Sequence, residues 1–432
     1  MDQALIELLC DKELLNPSVI PKGMVEYLMY LTKACHMDIT TQPKKINKTV
    51  AIFIFTVPIV GLLGLAGLIY WHALHWNTVI FTAIYTFVGG LSITAGYHRL
   101  FSHQTYKAKP VVRFLFALIG ASQFEGSVLE WCTDHRNHHR YNDTEKDPYS
   151  VREGFWHAHM GWLIHLDSSK RDFSNVKDLT ADPMLVFMDR HFVVIASLIG
   201  FIFPMLVAGF GWGDWIGGLL LGGALRIAIN QQSTFCINSI CHTFGSQKYS
   251  KEQTARDNWV TALITTGEGY HNYHHQFPLD YRNGIKFYQY DPAKWLIKTL
   301  EFFGLASELK TQSKHKILQY KVVSQEKSWF EKWSARAVVL PSQLEEMISP
   351  LKNKLLAQLK TMDECDSQIK KIRANLSQMT QDTIEQYKDI IIKKQIELNE
   401  YQKKIKQAHR EFKQQLKMWK IFLKKHPALL AL

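Results

Sequence analysis

Histidine is the residue type to follow in this chain. Of 19 histidines, eight fall in three short groups: HRLFSH at 98–103, HRNHH at 135–139 and HNYHH at 271–275. His135, His138 and His139 are spaced i, i+3, i+4, and so are His271, His274 and His275, which puts each trio on one face of a helix. A lone histidine is more often a surface or core residue. Two copies of H-x-x-H-H argue for a built site, and neutral imidazole is the commonest side-chain ligand for iron, copper or zinc. Eight or more imidazoles exceed what one ion can take, so two ions are expected. Metal-bound imidazoles need a partner for the second ring nitrogen, usually a carboxylate or carbonyl; Asp134, Glu145, Asp147, Glu268 and Asp280 are near in sequence. His157 and His159 lack the clustered spacing and read as structural.

These groups must be brought together, and the elements that would do so are apolar. Thr49–Trp71, Asn77–Tyr97 and Phe192–Trp212 carry no charged residue, and Trp215–Ser239 is apolar at first but holds Arg226, Asn230 and Asn238. About 20 apolar residues cross the hydrocarbon layer of a bilayer, so four spans in two hairpins are expected. Phe114–Phe124 is too short to span and reads as an interfacial or re-entrant helix. The hairpin loops lack Lys and Arg, while Lys44, Lys45, Lys48, the middle loop and the C-terminal part lie on the other side, which predicts both termini in the cytoplasm. All three histidine groups then fall on that same side. In the fourth span Arg226, Asn230, Thr234, Asn238 and His242 recur every four residues. Intramembrane polar groups usually face a cavity or functional site, which makes His242 a candidate ninth ligand.

Averages hide this organisation. Hydrophobic residues are 47 % and charged ones 21 % of 432 residues, values of an ordinary soluble chain, yet the apolar blocks lie between 49 and 241. Six cysteines form no C-x-x-C pair, so neither a disulfide scaffold nor a cysteine metal knuckle is indicated. No cleavable leader is visible in the first 48 residues. From 341 onward, 18 Lys and Arg face 11 Asp and Glu, which places +7 of the net +12 in the tail. Leu344, Ile348, Leu351, Leu355, Met362, Ile369 and Ile372 follow a 3–4 spacing that resumes out of step at Ile384, Ile391, Leu398, Ile405, Phe412 and Trp419. That pattern predicts a coiled coil with a local discontinuity, suited to self-association or to docking on anionic lipid. The expected divisions are an N-terminal segment 1–48, a four-span domain 49–310, a linker 311–340 and a basic coiled-coil tail 341–432.

The blocks HRLFSHQTY, EWCTDHRNHHRYNDTEKDPY, NSICHTFG and GEGYHNYHHQFPLDYRNG resemble the membrane fatty acyl-CoA delta-9 desaturases of the stearoyl-CoA type, over about residues 45–305. The resemblance implies an all-helical integral membrane protein, with four transmembrane helices and a cytosolic helical cap holding a di-iron site. By position it implies His98, His103, His135, His138, His139, His242, His271, His274 and His275 as iron ligands, with Asn238 acting through water. It places Glu125, Trp131, Thr234 and Phe235 at the kink of a substrate tunnel, and Thr86 and Gly90 at its blind end. Glu125 and Phe235 stand where the animal enzymes have Gln and Trp. Gly90 replaces an alanine, which predicts room for a longer chain.

The implied function is oxygen-dependent insertion of a cis delta-9 double bond into a long-chain acyl-CoA. An acyl-lipid is the other carrier considered, because Gly126 and Thr133 replace polar and basic residues that contact CoA. Two Fe ions and O2 are the implied cofactor and co-substrate. No H-P-G-G haem motif and no G-x-G-x-x-G loop after a strand is found, so electrons are expected from an external b-type cytochrome or a ferredoxin with its reductase. No nucleic-acid partner is expected. A di-iron hydroxylase or alkane monooxygenase and a non-enzymatic metal-binding scaffold are the alternatives. A bacterial inner membrane is favoured over the endoplasmic reticulum.

Overall fold

Residues 46–166, 171–334, 341–377 and 388–429 are described by the computed structural model; the expected segment 1–48 lies almost wholly outside them. Two apolar helices come first, α1 (Lys48–Tyr70) and α2 (Trp76–Ser102). Strand β1 (Lys107–Ala108) leads into the short apolar helix α3 (Pro110–Ala121). Helix α4 (Val128–Tyr141) starts at a capping box, in which Ser127 and Glu130 satisfy each other's backbone N–H groups. Helix α5 (Pro183–Arg190) precedes the second hairpin, made of α6 (Phe192–Trp212) and α7 (residues 215–243). The rest of the cap contains α8 (Trp259–Ile264), α9 (His271–Gln276), α10 (Pro292–Phe302) and β2 (Ala306–Ser307). β2 pairs antiparallel with β1, Ala108 opposite Ala306, and fastens the start of the cap to its end.

Among the described residues, α1, α2 and α6 are the three helices long and apolar enough to cross a membrane. Ile52, Leu62, Leu63, Ile80, Ile84, Val193 and Val194 are exposed on them, with Tyr70, Trp71 and Trp76 at one end. This is the surface of lipid-facing helices with an aromatic belt. The segment expected as the fourth span forms a continuous helical run, α7, but it is not among those three helices, because its second half carries polar residues, several of them buried. Arg226 is fully buried; it donates to Gly222 O at 2.8 Å, Gln123 Oε1 at 2.7 Å and Ser122 O at 2.9 Å, and lies 4.2 Å over the Tyr85 ring. Asn230 donates to the same Gln123 oxygen at 2.6 Å. The upper stripe therefore ties α7 to the end of α3, whose 12 residues are fewer than a span needs. Gly61 allows α1 and α7 to touch, since a Cβ there would sit 2.7 Å from Leu225 Cα.

Tyr97, Phe101, Phe116, Leu129, Leu185 and Ile297 form the core between α2, α3, α4, α5 and α10. Beyond it stand three long helices, α11 (Lys314–Ser334), α12 (Pro341–Ser377) and α13 (Lys388–Leu429). α11 occupies much of the segment expected as a linker. Ion pairs His315–Asp366 at 3.0 Å and Lys352–Glu326 at 2.8 Å set α11 antiparallel to α12. Gln358 to Glu411, and Ile369 and Ile372 against Leu398, do the same for α12 and α13. Ile348, Leu355, Leu359, Met362, Phe412 and Trp419 are buried between these helices. The described part of the apolar stripe read as a coiled coil or self-association surface is thus largely covered within one chain; Ile384 and the Leu344 side chain lie outside the described residues.

Candidate metal centre

Local winding decides which histidines can meet. His98 and His103 are five residues apart, which in an α-helix separates them by roughly 140°. From Ser92 to Ser102, however, α2 is a π-helix, and His103 N–H bonds to His98 O, an i→i+5 link. The wider turn brings the two rings to the same side, 4.9 Å apart. On α4 and α9 the i, i+3, i+4 spacing works as expected, and His242 lies in the last turn of α7.

All nine histidines converge in two groups. His98, His103, His135, His139 and His274 form one, and His138, His242, His271 and His275 the other, with the ligand atoms of each group within 4.8 Å of one another. Every close contact joins Nε2 to Nε2: His98–His274 at 2.9 Å, His103–His135 at 2.8 Å, His274–His139 at 2.9 Å, His138–His275 at 3.2 Å, His271–His242 at 3.1 Å and His275–His271 at 3.0 Å. An imidazole nitrogen binds a divalent ion such as zinc at ~2.0–2.1 Å, so two ligands at a right angle stand about 3.0 Å apart. The observed spacing fits pairs of ligands around one ion.

Protonation agrees. Burial first, then the neighbouring rings, holds His103, His135, His139, His274 and His275 well below the ordinary imidazole range, and His271 at about 3. Neutral rings are the form that ligates.

The Nδ1 atoms turn outward. His98 Nδ1 meets Glu268 Oε2 at 2.8 Å, and Glu268 also accepts from Arg99, whose guanidinium pairs with Asp291 at 2.9 Å. Burial alone would raise the Glu268 carboxyl, but the Arg99 guanidinium and the hydrogen bonds donated by His98 and Arg99 outweigh it and hold it at about 2. Gly267 has φ +108°, and a Cβ there would lie 2.7 Å from Asp291 Oδ1, so glycine is needed beside this cluster. His138 Nδ1 donates to Asp147 Oδ1 at 2.8 Å, and His135 Nδ1 to the Tyr149 hydroxyl at 3.2 Å. His242 Nδ1 donates to Thr254 Oγ1 at 2.7 Å, and Thr254 in turn donates to Asp143 Oδ1 at 2.6 Å. Each of these bonds leaves Nε2 with its lone pair free for a metal.

Of the five carboxylates near in sequence, Glu268 and Asp147 bond to clustered histidines, His98 and His138. Asp134 pairs with Arg171, Asp280 takes Arg282 and the Tyr273 hydroxyl, and Glu145 is exposed. Asp143, Thr254 and Tyr149 were not anticipated. Asn238 is partly exposed one turn before His242. His159 is a packing residue, bonded to Ser239 Oγ at 2.9 Å and Gln232 Oε1 at 3.0 Å.

The residues expected along a tunnel divide into three places. Thr234 Oγ1 donates to Glu125 Oε1 at 2.9 Å and Trp131 Nε1 to Glu125 Oε2 at 3.4 Å, while the Trp131 ring stacks on His135 at 4.8 Å. These three form one cluster against the five-histidine group. Burial pushes the Glu125 carboxyl up to about 8, with the two donors pulling the other way. Phe235 is buried, its ring edge-on to His159. Thr86 O accepts from Asn230 at 3.2 Å. A Cβ on Gly90 would meet Thr266 Cγ2 at 3.5 Å, an ordinary contact, so the space left by that glycine is one methyl deep.

A sequence model of the family described as fatty acid desaturase matches residues 73–306. A probable acyl-CoA desaturase of Schizosaccharomyces pombe is 45 % identical over 294 residues, 68 % of this chain and 60 % of the relative. An acyl-CoA Delta(11) desaturase of Spodoptera littoralis is 36 % identical, over 59 % of this chain and 78 % of the relative. A Delta(9)-fatty-acid desaturase of Caenorhabditis elegans, fat-6, is 37 % identical, over 55 % and 71 %. The chain thus spans less than two thirds of the fungal relative. All three relatives are eukaryotic, so the bacterial inner membrane favoured from the sequence finds no support.

Proposed function

Because the chain belongs to the fatty acid desaturase family, we propose that it is a membrane-bound, oxygen-dependent desaturase of long-chain fatty acyl-CoA that works at a nine-histidine di-iron centre. The observation that carries this reading is the convergence of nine Nε2 atoms in groups of five and four. In the proposed reaction a CH2–CH2 unit, O2, two electrons and two protons give CH=CH and two waters. Bound iron with oxygen supplies the oxidant that an unactivated C–H bond demands and no side chain offers.

The chain's own groups do the rest. His98, His103, His135, His139 and His274 hold one ion and His138, His242, His271 and His275 the other, with Asn238 reaching the second through water. Glu268, Asp147, Tyr149 and Thr254 fix the ring orientations. Trp131, Thr234 and Glu125 bend the acyl chain beside the five-histidine group, and Phe235, Thr86 and Gly90 line the rest of its path. With its carboxyl raised to about 8, Glu125 is uncharged at neutral pH and can face an acyl chain where a carboxylate could not. α1, α2, α6 and α7 are the proposed four spans, with the centre on the cytosolic side. Electrons come from an external b-type cytochrome or a ferredoxin-like protein.

A Delta(11) and a Delta(9) enzyme both stand among the relatives, so the bond position is tested directly. The chain is expressed in a desaturase-deficient host, and double bonds are located by mass spectrometry. Delta-9 monoenes from the natural chain and none from His138→Ala are expected. Hydroxylated chains in their place would move the protein to the monooxygenases.

A further inference from the structure

The two ligand groups are not braced by the same parts of the chain, and the tail lies on one side of that difference. Residues 245–257 run between α7 and α8 with hardly any regular structure, only isolated bridges between Ser246 and Asp257 and between Asp257 and Tyr270. This loop carries Thr254, which holds His242. It also carries Gln253, whose Oε1 accepts from Asn142 at 2.8 Å, and Asn142 lies 3.4 Å from His275 Nδ1. His242 and His275 both belong to the four-histidine group.

The inner side of the loop is pinned by Asn272, which bonds to Tyr249, Ser250 and Ala255. Its outer side is gripped by α11. Buried Ser324 donates to Gln247 O at 2.8 Å, and Gln247 reaches across the loop to Gln253 O at 2.5 Å. Lys251 pairs with Glu331, and Lys327 with Glu252. Below these, Ile317 packs with Tyr249, Tyr273 and Phe277, and Tyr320 meets Phe277 edge-on at 5.3 Å. α11 is itself locked into the bundle: Trp419 donates to Gln325 at 3.1 Å, and Lys352 pairs with Glu326.

We propose that the C-terminal helical bundle is a strut for the four-histidine site. Through α11 it holds the 247–254 loop, and Thr254 and Gln253 pass that constraint to His242 and to Asn142 beside His275. Ser324, Lys327 and Glu331 are positioning residues, since they touch no ligand. The five-histidine group leans instead on Glu268, Arg99 and Asp291, which lie on α2 and within 268–291. The inference rests on the two-metal reading above and goes beyond it by giving the tail a role selective for one site.

The test uses full-length protein in detergent, loaded with iron(II), with iron counted per chain and backbone hydrogen exchange followed in the 245–257 loop. In Lys327→Glu/Glu331→Lys, both helix charges face like charges on the loop. Adding Lys251→Glu/Glu252→Lys restores opposition without restoring any native side chain. Ser324→Ala removes the hydroxyl contact to Gln247 of the same loop without any change of charge. The helix reversal and Ser324→Ala are each expected to retain about one iron where the natural chain retains about two, with faster exchange in 245–257 and unchanged exchange around Glu268. The four-fold variant is expected to recover both. Two irons and unchanged loop exchange in both disrupted variants would overturn the strut, as would equal loss from both sites. A natural chain that binds no iron would overturn the strut and the two-metal reading together.

Discussion

The five-histidine group and the four-histidine group use the same side chain and the same nitrogen, but their supports come from different parts of the chain. The first is set by a buried charge cluster: His98 on Glu268, Glu268 on Arg99, Arg99 on Asp291. Its members come from α2, from just before α9 and from the N-cap of α10, and all are almost fully buried. The second takes His138 on Asp147 from the α4 side, but His242 depends on a hydroxyl, Thr254, presented by an irregular loop. A site held by buried ions resists local opening; one held through a loop opens at lower cost. Equal ligand chemistry therefore does not mean equal rigidity, and the second site is where other parts of the chain can act.

The comparison can be broken or sharpened by substitution. The largest effect is expected from Glu268→Gln, which leaves Arg99 and His98 short of a buried charge. Iron affinity of the five-histidine site should fall ~10–100-fold and stability by on the order of 3 kcal/mol, read by metal titration and thermal melting. If only the four-histidine site weakened, the assignment of supports would be reversed. Thr254→Val keeps the shape and removes the hydroxyl. It should cost the four-histidine site ~10-fold in iron affinity while the melting point of the metal-free protein changes little.

Glu125→Gln is expected to be the mildest at neutral pH, because an uncharged acid and an amide have similar shape and polarity. Its signature lies in the pH profile. The Glu125 carboxyl is raised to about 8, so the natural chain carries the neutral acid below that pH and gains a charge beside the acyl chain above it. KM should rise above pH 8 in the natural chain and stay flat in the variant. A flat profile in both would remove Glu125 from the substrate path.

Much of the histidine convergence was legible in the sequence, because i, i+3, i+4 histidines announce a shared helix face and a polar stripe in an apolar helix leads to His242. What was not legible came from winding and from distance. Nothing in HRLFSH reveals that Ser92–Ser102 is wound as a π-helix, the feature that lets His98 and His103 act together. Nearness in sequence suggested Asp134 and Asp280 as partners, but each was closer in space to an arginine, Arg171 or Arg282. The partner of His242 comes from Thr254 and Asp143, which the fold joins across 111 residues. In the tail the 3–4 pattern correctly placed the apolar faces of α12 and α13. Helix α11 escaped notice because its apolar positions are divided between two surfaces, Ile317 and Tyr320 towards the cap and Val322 and Trp329 towards the bundle.

The most direct test of two differently braced sites is 57Fe Mössbauer spectroscopy on the natural full-length chain beside His98→Ala and His271→Ala. The account predicts two iron environments in the natural chain. His98→Ala should keep only the signal of the four-histidine site, and His271→Ala only that of the five-histidine site. A single environment in the natural chain, or loss of all iron from both variants, would contradict it.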